Sequence, residues 1–198
     1  MQIGPVTLEG AHVRLETMRA EHADGLVAAG AGHGVFRFFP FSCETEAEMR
    51  GFVAHSLAGL ANGTILPFTT IDRKTGRIVG STSYLAIEPA HKRLEIGATW
   101  ITPSHQRSAV NTEAKLLQLT HCFEALGCNR VEFKTDSRNE RSRAALARIG
   151  ATEEGTFRAH MVMPDGALRT SVYFSVIASE WPGVKARLSE KLRPQLSR

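Results

Sequence analysis

The sequence predicts an α/β protein in which helices pack on the faces of one mixed β-sheet. Segments such as HVRLET and RLEIGATWI alternate apolar residues with others, which is typical of strands. Segments such as KLLQLTHCFEAL repeat apolar residues every three or four positions, which is typical of helices. Because the chain has 198 residues, of which 42% are apolar, we expect a single domain over residues 1–198.

The expected order of elements is β-α-α-β-β-β-α-β-α-β-β, beginning with a strand at residues 12–17. Residues 19–30 suit a short helix that ends at a glycine. A longer helix is predicted within ETEAEMRGFVAHSLAGLANG, where Thr45 caps the first turn and Glu48 completes a capping box. Two strands follow in LPFTTIDRKTGRIVGSTSYLAIEP, around the turn DRKTG.

The next predicted strand, RLEIGATWI, has two different faces. Strict alternation places Leu94, Ala98 and Trp100 together on the apolar face. Glu95 and Thr99 then lie on the opposite face. This pattern predicts that Trp100 packs with the apolar residues of its own strand.

The rest of the chain is predicted to add a helix that stops at Gly127, three strands, a short helix and a tail. NRVEFKT is a strand, and RNERSRAALARIGA is a helix with Asn139 as its N-cap and Gly150 just past its end. ATEEGTFRAHMVMPDGALRTSVYFSVI forms two strands joined across PDG. A C-terminal helical tail, EWPGVKARLSEKL, begins at about residue 180.

Composition and motifs narrow the possible function classes. The net charge of +4 comes without a basic stripe or an RNA-binding motif, so a nucleic-acid partner is not expected. Neither a run of ~20 apolar residues nor a signal-peptide pattern occurs, so no membrane association is expected. Three widely spaced cysteines without a CxxC pair favour a reducing cytoplasm. Because no residues have metal-ligand spacing, no metal is expected.

The segment HQRSAVNTEAK lies between a strand and a helix, where proteins often bind phosphate groups. The first turn of a helix has unpaired N–H groups, and its dipole favours an anion. However, the segment has no glycine, which such loops usually need for close backbone approach. Ser108 and Ala109 are small, whereas Asn111 or Thr112 could cap the helix in place of a ligand. The residues alone leave both a phosphate site and an ordinary capped helix open.

From about Val13 to Trp181, the chain resembles the GNAT N-acetyltransferase superfamily, and within it the RimJ/RimL-like branch of ribosomal-protein N-terminal acetylases. The resemblance is carried by LEIGATWITPSHQRSAVNTEAK, NERSRAALARIGATEEGTFR and SVYFSVIASEW. It implies a GNAT fold, with a mostly antiparallel sheet of about seven strands, splayed between strands 4 and 5, and helices on both faces. It also implies the cofactor acetyl-CoA, and a homodimer, since family members often pair.

The resemblance further implies where the cofactor binds. The family's acetyl-CoA loop, (Gln/Arg)-x-x-Gly-x-(Gly/Ala), aligned on the Thr-Glu-Ala that begins at Thr112, covers Gln106, Arg107, Ser108, Ala109, Val110 and Asn111. The glutamine is kept, but Ala109 and Asn111 depart from the family's small residues. The pantetheine arm pairs with the fourth strand, which implies contacts with Thr99, Trp100 and Ile101. Asn139 follows the fifth strand, where the family commonly places an asparagine against the cofactor.

Acetyl transfer to an amine needs removal of an ammonium proton, donors for the developing oxyanion and an acid near the departing thiolate. In RimL-like members a serine of the fourth helix lies near the sulfur, which implies this role for Ser142. Ser142 also shares a helical face with Ile149, so its hydroxyl is expected to point inward. Glu95 is the first candidate base, and Glu153 and Glu154 are the alternatives.

The sequence therefore predicts an acetyl-CoA-dependent N-acetyltransferase in which a primary amine attacks the thioester directly in a ternary complex. The acceptor amine is a protein N-terminus or a small molecule. The cluster Phe36, Phe38 and Phe39 suits either the acceptor pocket or the core. Two alternatives stay open: a GNAT-fold module that binds CoA or another anion without turnover, and a ribosome-associated protein suggested by charge alone.

Overall fold

The structure is a computed structural model that describes residues 1–193. Residues 194–198 of the chain lie outside the described residues. The strands are β1 (Thr7–Glu9), β2 (Val13–Thr17), β3 (Leu66–Asp72), β4 (Ile78–Glu88), β5 (Arg93–Ile101), β6 (Arg130–Asp136), β7 (Thr152–Val162) and β8 (Leu168–Ile177). The α-helices are α1 (Ala23–Gly30), α2 (Glu46–Ala61), α3 (Ala109–Thr120), α4 (Glu140–Ile149) and α5 (Trp181–Leu192).

The eight strands of the described residues form one sheet in the order β1-β2-β3-β4-β5-β6-β8-β7. Of these pairs, β5 with β6 is parallel and the others are antiparallel. This arrangement confirms the predicted α/β fold class. The sequence predicted about seven strands, and the additional one is β1, which pairs over three residues with β2. A strand this short is not revealed by alternation. Because β1 shifts the numbering by one, the strands predicted as the fourth and fifth are β5 and β6.

Two apolar clusters cover the two faces of the sheet. The larger cluster lies under α3, α4 and α5, and the smaller lies under α1 and α2. Helix α5, which the sequence suggested as a tail, buries Trp181, Val184 and Leu188 in the larger cluster. It is therefore an integral part of the core, and the core reaches from Val13 to Leu188.

A β-bulge in β5 changes the face on which the end of this strand packs. The register with β4 shifts by one residue between Gly97 and Trp100, and Ala98 has a φ of +47°. Trp100 consequently packs in the smaller cluster, whereas Leu94 packs in the larger one. The prediction that these side chains share a face was wrong, because strict alternation does not anticipate an inserted residue. Thr99 turns instead toward α3.

Strands β5 and β6 diverge after a short stretch of pairing. They pair through residues 93–95 and 130–132 only. Beyond this point β5 continues beside β4, and β6 continues beside β8. The predicted splay between these two strands is therefore present, and it leaves one edge of β5 without a backbone partner among the described strands.

Two predicted N-caps and one predicted C-terminal glycine are confirmed. Thr45 Oγ1 accepts a hydrogen bond from the backbone N–H of Glu48 at 3.3 Å, and the Glu48 carboxylate accepts in return from the N–H of Thr45. Asn139 Oδ1 accepts from the N–H of Ser142 at 3.1 Å. Gly150 has the left-handed φ of +98° that ends α4.

A buried carboxylate fastens α3 to the connection between β1 and β2. Glu113 accepts hydrogen bonds from the backbone N–H groups of Ala11 at 2.8 Å, His12 at 2.6 Å and Val13 at 2.7 Å. Such charge-assisted bonds satisfy both the carboxylate and three backbone donors. They hold α3 in place relative to the sheet, and the beginning of this helix forms one wall of the cleft described next.

Candidate active site

A cleft of about 790 Å³ opens where β5 and β6 separate. The N-terminal half of α3 and one side of α4 line it on one face of the sheet. The segment between α1 and α2 lines it on the other face, through Val35, Phe38, Phe39, Pro40 and Phe41. The gap between the strands therefore joins the two faces of the sheet in one continuous space.

Most of the predicted site residues line this cleft. They are Glu95, Thr99, Trp100, Ile101, Gln106, Arg107, Ser108, Asn111, Asn139 and Ser142. Ala109, Val110 and Thr112 of the predicted cofactor loop do not line it. Val110 packs in the larger core cluster, and the Thr112 hydroxyl accepts a hydrogen bond from Arg148 at 3.1 Å. The side chains of Val110 and Thr112 are thus used within the fold.

Helix α3 begins with a cap that differs from the predicted ones. Ser108 Oγ accepts from the backbone N–H of Val110 at 3.3 Å and donates to the carbonyl of His105 at 2.6 Å. Neither Asn111 nor Thr112 is the cap, because the helix starts earlier than expected. A serine in this position satisfies one N–H group of the first turn and leaves the others to a ligand or to solvent.

The missing glycine does not distort the predicted cofactor loop. Ala109 is the first residue of α3 and has a helical backbone. The positive φ in this loop, +60°, belongs to Arg107. The position at which the family uses glycine therefore needs no left-handed conformation here, and alanine is accommodated without backbone strain.

Gln106 and Asn111 have different local roles in the cleft wall. Gln106 Nε2 donates to the carbonyl of Ile101 at 2.8 Å, which ties the loop to the end of β5. Asn111 Oδ1 is buried, and no donor within residues 1–193 lies in hydrogen-bonding distance. Because buried polar atoms are normally paired, this oxygen is an unused acceptor in the wall of the cleft.

Three arginines make the end of the cleft beside α3 and α4 electropositive. Arg107, Arg141 and Arg148 line the cleft, and within residues 1–193 none of them lies within 4 Å of a carboxylate. The dipole of α3 adds to their positive potential. This end of the cleft therefore suits an anionic ligand such as a phosphate.

Lys115 is a cleft residue that the sequence reasoning did not single out. Only 4% of it is exposed, and its Nζ lies 2.9 Å from Gln118 Oε1, 3.0 Å from Thr99 Oγ1 and 3.2 Å from Thr82 Oγ1. Burial lowers the pKa of Lys115 to about 7. The available signal was its spacing, since it follows Asn111 by four positions on the inward side of the helix.

Asn139 and Ser142 are brought together at the start of α4. The cap bond from Ser142 N–H to Asn139 Oδ1 fixes this turn, and both residues line the cleft. Leu146 and Ile149, on the same helical face as Ser142, are buried in the larger cluster. The inward direction that was predicted for Ser142 is therefore consistent with its place in the cleft wall.

Glu95 is buried at the point where β5 and β6 begin to diverge. It is 3% exposed, and its Oε2 accepts a hydrogen bond from Lys134 Nζ at 2.9 Å. A Cβ at Gly97 would lie 2.6 Å from Glu95 Oε1, so the glycine leaves the space that this oxygen occupies. Both Glu95 and Lys134 line the cleft.

The two alternative bases lie away from the cleft. Glu153 pairs with Arg143 at 3.2 Å on the surface. Glu154 pairs with Arg130 and accepts from Ser175 Oγ at 2.7 Å. Neither glutamate lines the cleft, which leaves Glu95 as the carboxylate best placed for proton removal.

The aromatic cluster before α2 divides between the core and the wall of the cleft. Phe36 is buried in the smaller core cluster, with its ring centroid 5.3 Å from that of Trp100. Phe38 and Phe39 line the cleft on the side of Glu95. The second face of the sheet therefore offers an apolar wall next to a buried carboxylate, which suits the apolar part of an amine.

A sheet that opens between two strands beside a helix N-terminus is the arrangement expected of a GNAT acetyltransferase. The chain belongs to this family, since residues 12–152 match the acetyltransferase (GNAT) domain. This match confirms the family inferred from the sequence.

Individual relatives agree with the RimJ/RimL-like branch. YdaF of Bacillus subtilis, provisionally named a ribosomal N-acetyltransferase, is 34% identical over 110 residues, which are 56% of this chain and 59% of YdaF. A Thermus thermophilus structure, provisionally described as an acetyltransferase, has 38% identity and a TM-score of 0.87 over 97% of this chain and 100% of that chain. RimJ of Mycobacterium smegmatis, solved with CoA-disulfide, has 25% identity and a TM-score of 0.76 over 96% of this chain and 94% of that chain.

Two further properties concern the described part of the chain. Its helices include none that is long and apolar enough to cross a membrane. Cys43, Cys122 and Cys128 are buried free thiols.

Proposed function

We propose that the protein is an acetyl-CoA-dependent N-acetyltransferase, in which a primary amine attacks the thioester directly in a ternary complex. The observation that carries this proposal is the cleft between β5 and β6, which joins an electropositive helix N-terminus to a buried carboxylate. Two substrates can approach this cleft from opposite faces of the sheet and meet in the gap. Membership of the GNAT family supports the same reaction.

The residues of the cleft fit acetyl-CoA. Arg107, Arg141 and Arg148, together with the N–H groups at the start of α3, suit its phosphates. The unpaired edge of β5 and the orphan Asn111 Oδ1 suit the amide groups of its pantetheine arm. When bound, acetyl-CoA supplies an acetyl group activated as a thioester.

Glu95 is proposed to accept the proton that the acceptor ammonium must lose, directly or through a water molecule. The ion pair with Lys134 holds its Oε2, and Oε1 lies beside Gly97 along β5. Phe38 and Phe39 add apolar surface to the cleft on this face. Glu95 thus has a fixed position in the gap between the strands, which favours proton transfer in a bound complex.

Ser142 is proposed to donate a hydrogen bond to the departing sulfur. Its backbone is held by the Asn139 cap, which sets the position of the side chain in the cleft wall. A serine hydroxyl is too weak an acid to transfer its own proton readily, so it acts by donating a hydrogen bond or by relaying a proton from water. Such a bond strengthens as negative charge develops on the sulfur.

The acceptor is proposed to be a primary amine of a protein N-terminus or a small molecule. The name of YdaF supports a protein acceptor, although the chain spans only 59% of the length of that relative. A cytoplasmic setting is proposed from the three free cysteines, and a homodimer from the family resemblance.

Binding and turnover are tested together by thermal shift and thiol release. Acetyl-CoA and desulfo-CoA should both raise the melting temperature, and acetyl-CoA should release thiol with at least one member of an amine panel. Binding without thiol release on any acceptor would favour the alternative of a GNAT-fold module without turnover. The absence of binding at saturating acetyl-CoA would contradict both.

A further inference from the structure

Arg169 is a buried cation at the acceptor side of the cleft. It lies on β8 and is 5% exposed, yet it is one of the residues that line the cleft. Its Nε donates to Ser171 Oγ at 3.1 Å, and its Nη1 donates to the carbonyl of Phe38 at 3.1 Å. Both acceptors are neutral, and Nη2 forms no hydrogen bond with another described residue.

The two carboxylates that act electrostatically on Arg169, Asp136 and Glu95, are already paired with other cations. Asp136 accepts from the guanidinium of Arg138 at 2.7 and 3.0 Å, and Glu95 accepts from Lys134 at 2.9 Å. No carboxylate within residues 1–193 lies within 4 Å of Arg169. Lys134 and Arg138 each have a paired carboxylate, and Arg169 beside them has none within salt-bridge distance.

A buried guanidinium without a paired anion is unfavourable, because burial removes its hydration, and Asp136 and Glu95 offset this only from beyond salt-bridge distance. Burial lowers the pKa of Arg169, but arginine is so basic that its side chain stays charged at neutral pH. Its planar group is also well suited to bind a carboxylate through two hydrogen bonds. An anion that enters the cleft would therefore pair with the Arg169 guanidinium, which the fold leaves without a carboxylate partner.

We propose that the acceptor amine carries a carboxylate, and that Arg169 recognises this carboxylate in the cleft. The inference rests on the proposed N-acetyltransferase function and defines the chemical class of its acceptor. Glu95 and Arg169 line the same cleft, so one molecule can place its ammonium toward Glu95 and its carboxylate toward Arg169. Phe38, whose carbonyl holds Arg169, also lines the cleft and connects the anion site to the aromatic wall.

Two sources can supply an amine with a nearby carboxylate. One is a free amino acid, through its α-carboxylate, and the other is a peptide N-terminus followed by an acidic side chain. Both present the same pair of charges to Glu95 and Arg169. The two sources are separated by comparing acceptors of each kind with neutral partners of nearly equal shape.

The experiment measures thiol release from acetyl-CoA with matched acceptors. One pair is an amino acid and its amide, and the other is a peptide with aspartate at its second position and the same peptide with asparagine. The wild-type protein is expected to show a kcat/KM about tenfold or more higher for the carboxylate member of at least one pair. Equal values within both pairs would overturn the inference while leaving the proposed function intact. If none of the acceptors tested causes release of thiol, that result would instead contradict the proposed function.

Substitutions assign the preference to Arg169. Arg169→Gln should abolish the preference, and Arg169→Lys should retain part of it, because lysine keeps the charge without the planar fork. Arg158→Gln, which removes an exposed arginine from the adjacent strand, is the matched control and should keep the full preference. If Arg169→Gln does not fold, the inference is still tested by the matched acceptor pairs with the wild-type protein and by the reduced preference expected of Arg169→Lys. An undiminished preference in a folded Arg169→Gln would overturn the inference.

Discussion

Lys134 Nζ lies 2.9 Å from Glu95 Oε2, at the point where β5 and β6 stop pairing. The ion pair joins the two strands across the beginning of the gap, on the face of the sheet opposite to α3 and α4. It positions a buried carboxylate where an amine can approach it from the aromatic side of the cleft. Glu95 is thereby the residue on which the proposed proton removal depends.

Replacement of Glu95 by glutamine is expected to lower kcat by about 100-fold or more, because the amide cannot accept the ammonium proton. The dissociation constant for acetyl-CoA should change little, since Glu95 lies at the other side of the cleft from Arg107, Arg141 and Arg148. Steady-state thiol release and calorimetric titration measure the two quantities. A kcat within threefold of the wild type would remove Glu95 from the reaction.

Replacement of Ser142 by alanine is expected to lower kcat about tenfold, because the developing negative charge on sulfur loses a hydrogen-bond donor. The cap between Asn139 and the Ser142 backbone N–H does not involve the lost hydroxyl, so α4 should keep its position. Acetyl-CoA affinity is therefore expected to stay near the wild-type value. An unchanged rate with the best acceptor would show that Ser142 takes no part in the chemistry.

A negative charge at position 111 should oppose the phosphates of acetyl-CoA. Asn111→Asp changes the shape of the side chain very little but places a carboxylate in the electropositive end of the cleft. We expect about tenfold weaker binding of acetyl-CoA in a calorimetric titration at low salt. Asn62→Asp, at an exposed position after α2, makes the same chemical change and should leave binding unaffected. Equal affinity in the two variants would indicate that the phosphates bind elsewhere.

The free energy of unfolding should depend on pH through Lys115. Burial lowers the pKa of Lys115 to about 7 from 10.5, so between these values the unfolded chain binds more protons than the folded one. Stability from this group therefore rises with pH, by an amount on the order of 1 to 2 kcal/mol between pH 7.0 and 8.5. Lys115→Met should remove this part of the slope, which urea denaturation at the two pH values measures. Above pH 9 the buried thiol of Cys43, whose pKa burial raises to about 12, acts in the opposite direction.

The same slope in Lys115→Met and in the wild type would show that Lys115 is not buried as a titrating amine. The comparison is made within one pH range, so groups common to both proteins cancel in the difference.

Loss of the Glu113 carboxylate should destabilise the fold. Glu113→Ala leaves the backbone N–H groups of Ala11, His12 and Val13 without their acceptor, and we expect a loss of about 3 kcal/mol or more. Chemical denaturation measures this loss, and Glu46→Ala, at an exposed helix position, should have a much smaller effect. A change as small as that of the control would mean that water replaces the carboxylate without cost.

Much of the fold could be predicted because its local signals were strong. Thr45 with Glu48 marks the start of α2, and Gly150 marks the end of α4, through interactions between residues close in sequence. The bulge at Ala98 was not predictable from alternation, since one inserted residue leaves the composition of the strand unchanged. The three residues of β1 were too few to show a pattern.

The part of the candidate site that was predicted also depends on local signals in the sequence. Family motifs indicated Ser142 and the loop at Gln106, and strand alternation indicated Glu95. Lys115 and Arg169 were missed because their importance arises from what surrounds them in three dimensions. Whether a cation is buried without a carboxylate depends on strands and helices that are far apart in sequence.

A crystal structure with CoA tests most directly whether the gap between β5 and β6 is the acetyl-transfer site. We expect the diphosphate at the N–H groups of residues 107–111, the pantetheine arm along the free edge of β5, and the sulfur beside Ser142. Binding of the nucleotide at another surface, or an empty gap closed by the protein's own side chains at saturating CoA, would contradict the proposed function.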